Sequence, residues 1–148
     1  FHEWDEKTSL DWYLSEEPFG KSLKDYVRDL LHLYKKYPAL YEKDYDWEGF
    51  FWGNANDKER SIFSFVRYST DKKRSLLFVL NFTPVARPDY RVGVPKRGTY
   101  TLVLDQDHGL YKRGEKAPSF RSEKMEWDEQ EYSFPYQLPA YGAAVFRF

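Results

Sequence analysis

Apolar residues recur at helical spacing over one stretch of this chain. Leu23, Tyr26, Val27, Leu30, Leu31, Tyr34 and Tyr37 form a stripe, while Lys24, Asp25, Arg28, Asp29, His32, Lys35 and Lys36 take the other face. Gly20 breaks the segment before it, Ser22 with Asp25 three residues on reads as an N-cap and its reciprocal partner, and Pro38 stops the run. The pattern predicts a helix over about residues 22–37. A helix of this length is marginal alone in water, and each large apolar side chain gains about 1.5–3 kcal/mol on burial, so it needs a surface to lie on.

Beyond Tyr41 and Tyr45 the period changes to two. Phe50-Phe51-Trp52, Ile62 to Tyr68 and Leu76 to Phe82 come first, the third so continuously apolar that it predicts a central strand covered on both faces. Tyr90, Val92 and Val94 alternate with Arg91 and Gly93; beyond Pro95-Lys96-Arg97-Gly98, Tyr100, Leu102 and Leu104 alternate with Thr99, Thr101 and Val103. This predicts a hairpin. Asp105 opens a loop reaching about Pro118, and the last strands are expected at about Arg121 to Trp127, Tyr132 to Leu138 and Ala143 to Phe148. Eight short strands over about a hundred residues match a mainly β fold, an antiparallel sandwich preceded by one amphipathic helix.

Composition narrows the function. Five Trp, thirteen Tyr and twelve Phe among 148 residues suit a sandwich core and sugar-stacking surfaces. A net charge of −1, from 23 basic and 24 acidic residues, supplies no overall field for nucleic acid or anionic lipid, so neither nucleic acid nor membrane is an expected partner. The absence of cysteine excludes disulfides and thiolate zinc sites and fits a reducing compartment.

Candidate chemistry is sparse. Gly109-Leu110-Tyr111-Lys112-Arg113-Gly114 has the glycine spacing of a phosphate loop, but Glu115 stands where that chemistry needs lysine and no helix follows. His2, His32 and His108 are scattered, against both a metal site and a Ser-His-Asp triad. Asn81-Phe82-Thr83 is a formal glycosylation sequon at the end of a central strand, read as structural, and Lys72-Lys73-Arg74 reads as a solvated hairpin tip. Asp5, Glu6, Asp11, Glu16 and Glu17 crowd the first segment, yet nothing nearby would raise one carboxylate's pKa while leaving another ionised, as glycoside chemistry requires. Trp4, Trp12 and Tyr13 lie where no apolar period calls for them; they are rings for a pyranose to stack on or rings that cover a neighbouring domain.

The ordered set Glu3-Trp4, Ser9-Leu10-Asp11-Trp12, Val27-Arg28-Asp29-Leu30, Leu33-Tyr34, Pro38-Ala39-Leu40, Gly49-Phe50, Trp52, Ser61 to Phe65, Arg67, Asn81 to Val85, Tyr90 to Pro95 and Leu138-Pro139-Ala140 resembles the C-terminal part of 1,4-α-glucan (glycogen) branching enzymes, of the α-amylase superfamily. Gly53 departs from it, standing where that family usually has an aliphatic residue, and the loop from Asp105 to Pro118 follows none of its pattern. The resemblance implies that residues 1–44 are the end of a catalytic (β/α)8 barrel, with a loop at 1–21, the last barrel helix and a connector, and that 45–148 are a C-terminal all-β sandwich. It implies a cytoplasmic enzyme without cofactor that forms α-1,6 branches by retaining glucanotransfer, whose two catalytic aspartates and acid/base glutamate lie before Phe1, so that this chain carries no catalytic residue and is inactive alone. The expected partners are the rest of that enzyme and, through it, α-glucan, with Trp4 and Trp12 as substrate-binding candidates at the groove. The rivals are a stand-alone carbohydrate-binding sandwich and a small independent glycosidase.

Overall fold

The structure is a computed structural model that describes residues 5–106, 109–110 and 116–148. A short 3-10 turn at Trp12–Ser15 leads into α1 (Pro18–Lys36), and further 3-10 turns at Pro38–Leu40 and Trp47–Gly49 lead to the strands. These are β1 (Phe50–Asp57), β2 (Ile62–Arg67), β3 (Leu76–Asn81), β4 (Arg87–Val94), β5 (Thr99–Asp105), β6 (Gly109–Leu110), β7 (Ser119–Arg121), β8 (Tyr132–Leu138) and β9 (Ala143–Arg147). One antiparallel sheet runs β1-β2-β3-β9-β5-β6, with β7 also pairing β5, and a second pairs β4 with β8.

The two sheets face each other, as expected of a sandwich. Alternation sends Ile62, Val66, Leu77, Val79, Leu102 and Phe146 of the large sheet inward against Val92, Val94, Phe134, Tyr136 and Leu138 of the small one. Rings dominate this core: Tyr100 stacks on Phe134 at 5.2 Å, Phe120 on Phe134 at 5.4 Å, and Phe146 meets Tyr136 edge-on at 5.0 Å. The predicted central strand is β3, between β2 and β9. Its Leu77 and Val79 enter the sandwich core, while Leu76 on the other face enters a second cluster with Leu33 and Tyr37 of the helical region.

Three expectations need correction. The strands either side of Pro95–Gly98 form no hairpin: β4 pairs with β8 and β5 with β9, so the connection carries the chain from one sheet to the other. Reciprocal hydrogen bonds between Gly98 and Ser122 and a Tyr100 hydroxyl donating to the Lys96 carbonyl hold that crossing. The strand expected at 121–127 is Ser119–Arg121 instead, followed by two isolated bridges at Glu123 and Trp127. The helix begins at Pro18, four residues early, because proline at N1 carries the φ a helix needs and lacks an amide that would go unpaired. Ser22 is therefore inside it. Gly20 serves close packing, since a Cβ there would lie 1.9 Å from the Leu14 carbonyl oxygen of the preceding turn.

The apolar arc of α1 splits into two stripes. Leu33 and Tyr37, four residues apart, are buried against Leu76, Leu104 and Val145 on the outer face of the large sheet, with Tyr26 packed beside them. Leu23, Val27, Leu31 and Tyr34 form the adjacent stripe and stay about half exposed. Leu33 was outside the predicted stripe, and most of that stripe is uncovered.

Candidate functional site

A series of exposed apolar side chains begins at this second stripe. Tyr34 meets Tyr41 of the connector at 5.5 Å, and Tyr45 and Trp47 beyond it project into solvent. On the outer face of the large sheet a ladder of rings runs from Phe78, at the helix-covered cluster, to Phe65 (4.7 Å, stacked), Phe50 (5.4 Å) and Trp52 (5.0 Å, edge-on). Neighbouring strands place same-face residues close enough for these contacts, and the ladder ends on β1, an edge strand whose Phe50, Phe51 and Trp52 remain exposed. An apolar face of this extent marks an interaction surface.

Of the two predicted substrate-contacting residues, Trp4 lies outside the described residues. Trp12 lies on the first 3-10 turn with its ring 69% exposed. Tyr13, Leu14 and Phe19 beside it are also exposed. The ladder was missed from the sequence, although the aromatic residues at Phe50 and Trp52 and at Phe63 and Phe65 alternate in the way that puts rings on one face.

No catalytic carboxylate pair emerges among the described residues. In the first segment Asp5 accepts from the Lys7 amide and Glu16 binds Lys24 Nζ at 2.9 Å, which holds the Glu16 carboxyl below its usual range. The carboxyl that is raised is Asp128, to about 6, because burial disfavours its charge; the Gly93 backbone, the Arg60 guanidinium and Asn54 oppose the rise, and Asp57 adds to it. Asn54 Nδ2 donates to Asp128 Oδ1 at 2.9 Å, linking β1 to the turn between β7 and β8. Arg60 binds Asp57 at 2.7 Å and lies over the rings of Tyr90 and Trp127. Asp128 Oδ2 is itself buried and accepts no hydrogen bond, while the residue as a whole lies half-buried at one edge of the sandwich, where its bond to Asn54 ties β1 to the turn.

The remaining motifs are structural or fall outside the described residues. Asn81 Nδ2 donates to the carbonyls of Val85 and Pro139 while its Oδ1 accepts from the amide and hydroxyl of Thr83, so the buried sequon amide is fully engaged. His32 sits exposed on the polar side of α1, and His2 and His108 are not described. The described residues include no group of three or more His, Cys, Asp or Glu able to hold a metal. Tyr111 to Glu115 are likewise not described, and among the described residues no helix is long and apolar enough to cross a membrane.

Comparison with known proteins adds to this geometry. The family described as the alpha amylase C-terminal all-beta domain matches residues 52–148. The 1,4-alpha-glucan branching enzyme GlgB of Butyrivibrio fibrisolvens is 49% identical over 148 residues, covering 99% of this chain and 23% of that protein. The proteins of the same name from Hydrogenovibrio crunogenus and Gloeobacter violaceus are 44% and 41% identical, covering 99% and 98% of this chain and 20% of each relative. The chain thus spans about a fifth to a quarter of the length of the curated relatives it matches.

Proposed function

The chain belongs to the alpha amylase C-terminal all-beta domain family, and from that premise we propose that it is the non-catalytic sandwich of a 1,4-alpha-glucan branching enzyme, seated against the catalytic barrel through its free apolar face. The observation that carries this reading is the split arc of α1. One stripe is used up on the sandwich, and a second, of Leu23, Val27, Leu31 and Tyr34, stands ready for another surface. Covering these half-exposed side chains is worth about 1 kcal/mol each. In such an enzyme a barrel carboxylate attacks the anomeric carbon of an α-1,4 bond while the 4-oxygen leaves with a proton from an acid/base carboxyl, and a 6-hydroxyl then gives its proton back to that group as it displaces the carboxylate. Catalytic sites of barrels lie on the loops after the strands, so the segment bearing Trp4 and Trp12 flanks the glucan groove.

The test is co-expression of this chain with the barrel-containing remainder of the Butyrivibrio relative. Co-purification and recovery of branching activity are expected, both lost on Leu23→Glu with Leu31→Glu, while the chain's own melting temperature holds. Equal recovery with that double variant would refute the docking face. A stand-alone glucan-binding module is the second reading, favoured by the openly projecting rings of Tyr45 and Trp47. It predicts that maltoheptaose shifts their signals in the isolated chain.

A further inference from the structure

We propose that the end of the large sheet where the β2–β3 turn meets the outer face of β9 and β5 binds a phosphate monoester borne on a carbohydrate. The register assembles the site. Arg147 of β9 sits opposite Leu76 of β3 and Thr101 of β5, and Thr101 and Thr99 sit opposite Ser119 and Arg121 of β7. Tyr100, Phe120 and Phe146 point into the sandwich, so their neighbours Thr99, Thr101, Ser119, Arg121 and Arg147 take the outer face. Lys73 and Arg74 close the row from the turn and, with Thr99, Thr101, Arg147 and Phe148, line a depression of about 210 Å³. Arg74 and Arg147 line the depression together, and both are felt by the phenol of Tyr37, which packs on the outer face of the sheet.

The charge here runs against the chain as a whole. Net charge is −1, yet Lys73, Arg74 and Arg147 line this depression, Lys96 Nζ lies over the ring of Phe148 beside it, and Arg97 and Arg121 line a second depression together with Glu123 and Lys124. Among the described residues, Arg74, Arg121 and Arg147 have no carboxylate within ion-pair distance. Of the carboxylates nearby, Glu123 is bound by Arg91 at 2.7 Å, and Asp71 accepts from the Ser69 hydroxyl and the Lys73 amide, both at 2.9 Å, its charge also felt by Lys73 and Arg74. Planar guanidinium forks match phosphate oxygens, and the threonine hydroxyls between them suit sugar hydroxyls. The Phe148 ring stacks on Tyr100 at 4.9 Å and carries Lys96 Nζ over it at 4.8 Å, so it offers no free face to a nucleobase. The depression is also smaller than the roughly 300–1,000 Å³ that encloses drug-sized ligands, which suits a phosphate and the sugar ring attached to it.

The 148-residue chain, isotopically labelled, is titrated with glucose 6-phosphate and with a phosphorylated maltodextrin, against glucose, inorganic phosphate and sodium chloride at matched ionic strength. Saturable shifts at Thr99, Thr101 and Arg147 are expected with the phosphorylated sugars. Arg147→Gln and Arg74→Gln should each weaken binding about tenfold or more, as loss of a charge-assisted contact implies, and Arg147→Lys should weaken it less. Tighter binding of the dextrin identifies chain-borne phosphate as the source, and tighter binding of glucose 6-phosphate identifies the free sugar phosphate. The proposal is overturned if glucose, phosphate or chloride alone gives the same response, or if both glutamine variants bind as the parent does while keeping its spectrum.

Discussion

Replacing Asp128 by Asn should stabilise the chain at neutral pH. Asp128 is held by burial at a pKa of about 6 against an ordinary 3.8, and it faces Asn54, the Gly93 amide, Arg60, Asp57 and the Tyr90 phenol, which burial also pushes up. A group whose pKa rises on folding contributes stability that is complete below the unfolded value and disappears as pH climbs through the folded one. The folded state should therefore lose stability between about pH 4 and 6 on account of this residue. The full linkage of such a shift is about 3 kcal/mol. The turn is partly open to solvent, so screening reduces the effect to about 1–2 kcal/mol. Asparagine keeps an oxygen for the Asn54 bond, cannot ionise, and tolerates the left-handed backbone at position 128, where φ is 51°. Urea unfolding from pH 4 to 8 is the assay. Asp128→Asn should gain about 1–2 kcal/mol at pH 7.5 and have a flatter profile below pH 6.5. A variant less stable than the parent at pH 7.5, or one with an unchanged slope, would refute the reasoning.

Glu129 follows in the same tight turn with φ 60°, closed by paired hydrogen bonds between Trp127 and Gln130, so Glu129→Gly should raise stability by about 0.5–1 kcal/mol in the same assay. Leu33→Ala should cost about 2–4 kcal/mol because it empties the cluster under α1, whereas Leu31→Ala on the free stripe should change stability by less than about 0.5 kcal/mol; comparable losses from both would contradict the two-stripe description. A Cβ at Gly53 would meet Ser64 Oγ at 2.6 Å, so Gly53→Ala should cost about 1–3 kcal/mol and Ser64→Ala should recover much of that; strict additivity in the double-mutant cycle would dismiss the contact.

What could be read from the sequence follows the range of the forces involved. β2, β3 and β8 were legible because each carries its own alternating or continuous apolar run, and Pro38 ended α1 within a residue of the expected place. Pairing was not legible at Pro95–Gly98, because a turn-rich tetrapeptide between two alternating strands looks alike whether the chain folds back or crosses between sheets. The Gly98–Ser122 bonds that decide it span 24 residues. Helical periodicity delimited one broad arc on α1 but could not tell which part faces the sandwich; Leu33 won that place because it and Tyr37 fit between Leu76, Leu104 and Val145. The need for a small residue at Gly53 was not legible either, because it is set by Ser64, which lies against it from the next strand. The basic row was invisible as well, its members being contributed by four separate segments.

The position of β9 governs the order in which this chain can be made and folded. β1, β2 and β3 are one local meander, and β5 with its two short neighbours is another, and β9 is the strand that hydrogen-bonds to both. Until residues 143–147 leave the ribosome, β3 and β5 each present an open edge of unpaired amides and carbonyls to the cell. Closure then joins segments some 40 to 70 positions apart, a slow step by the rule that distant pairings cost more chain entropy. The vulnerable species during synthesis is accordingly a polypeptide made through β8 but lacking β9, and a nonsense mutation just before Ala143 would yield aggregation-prone chains.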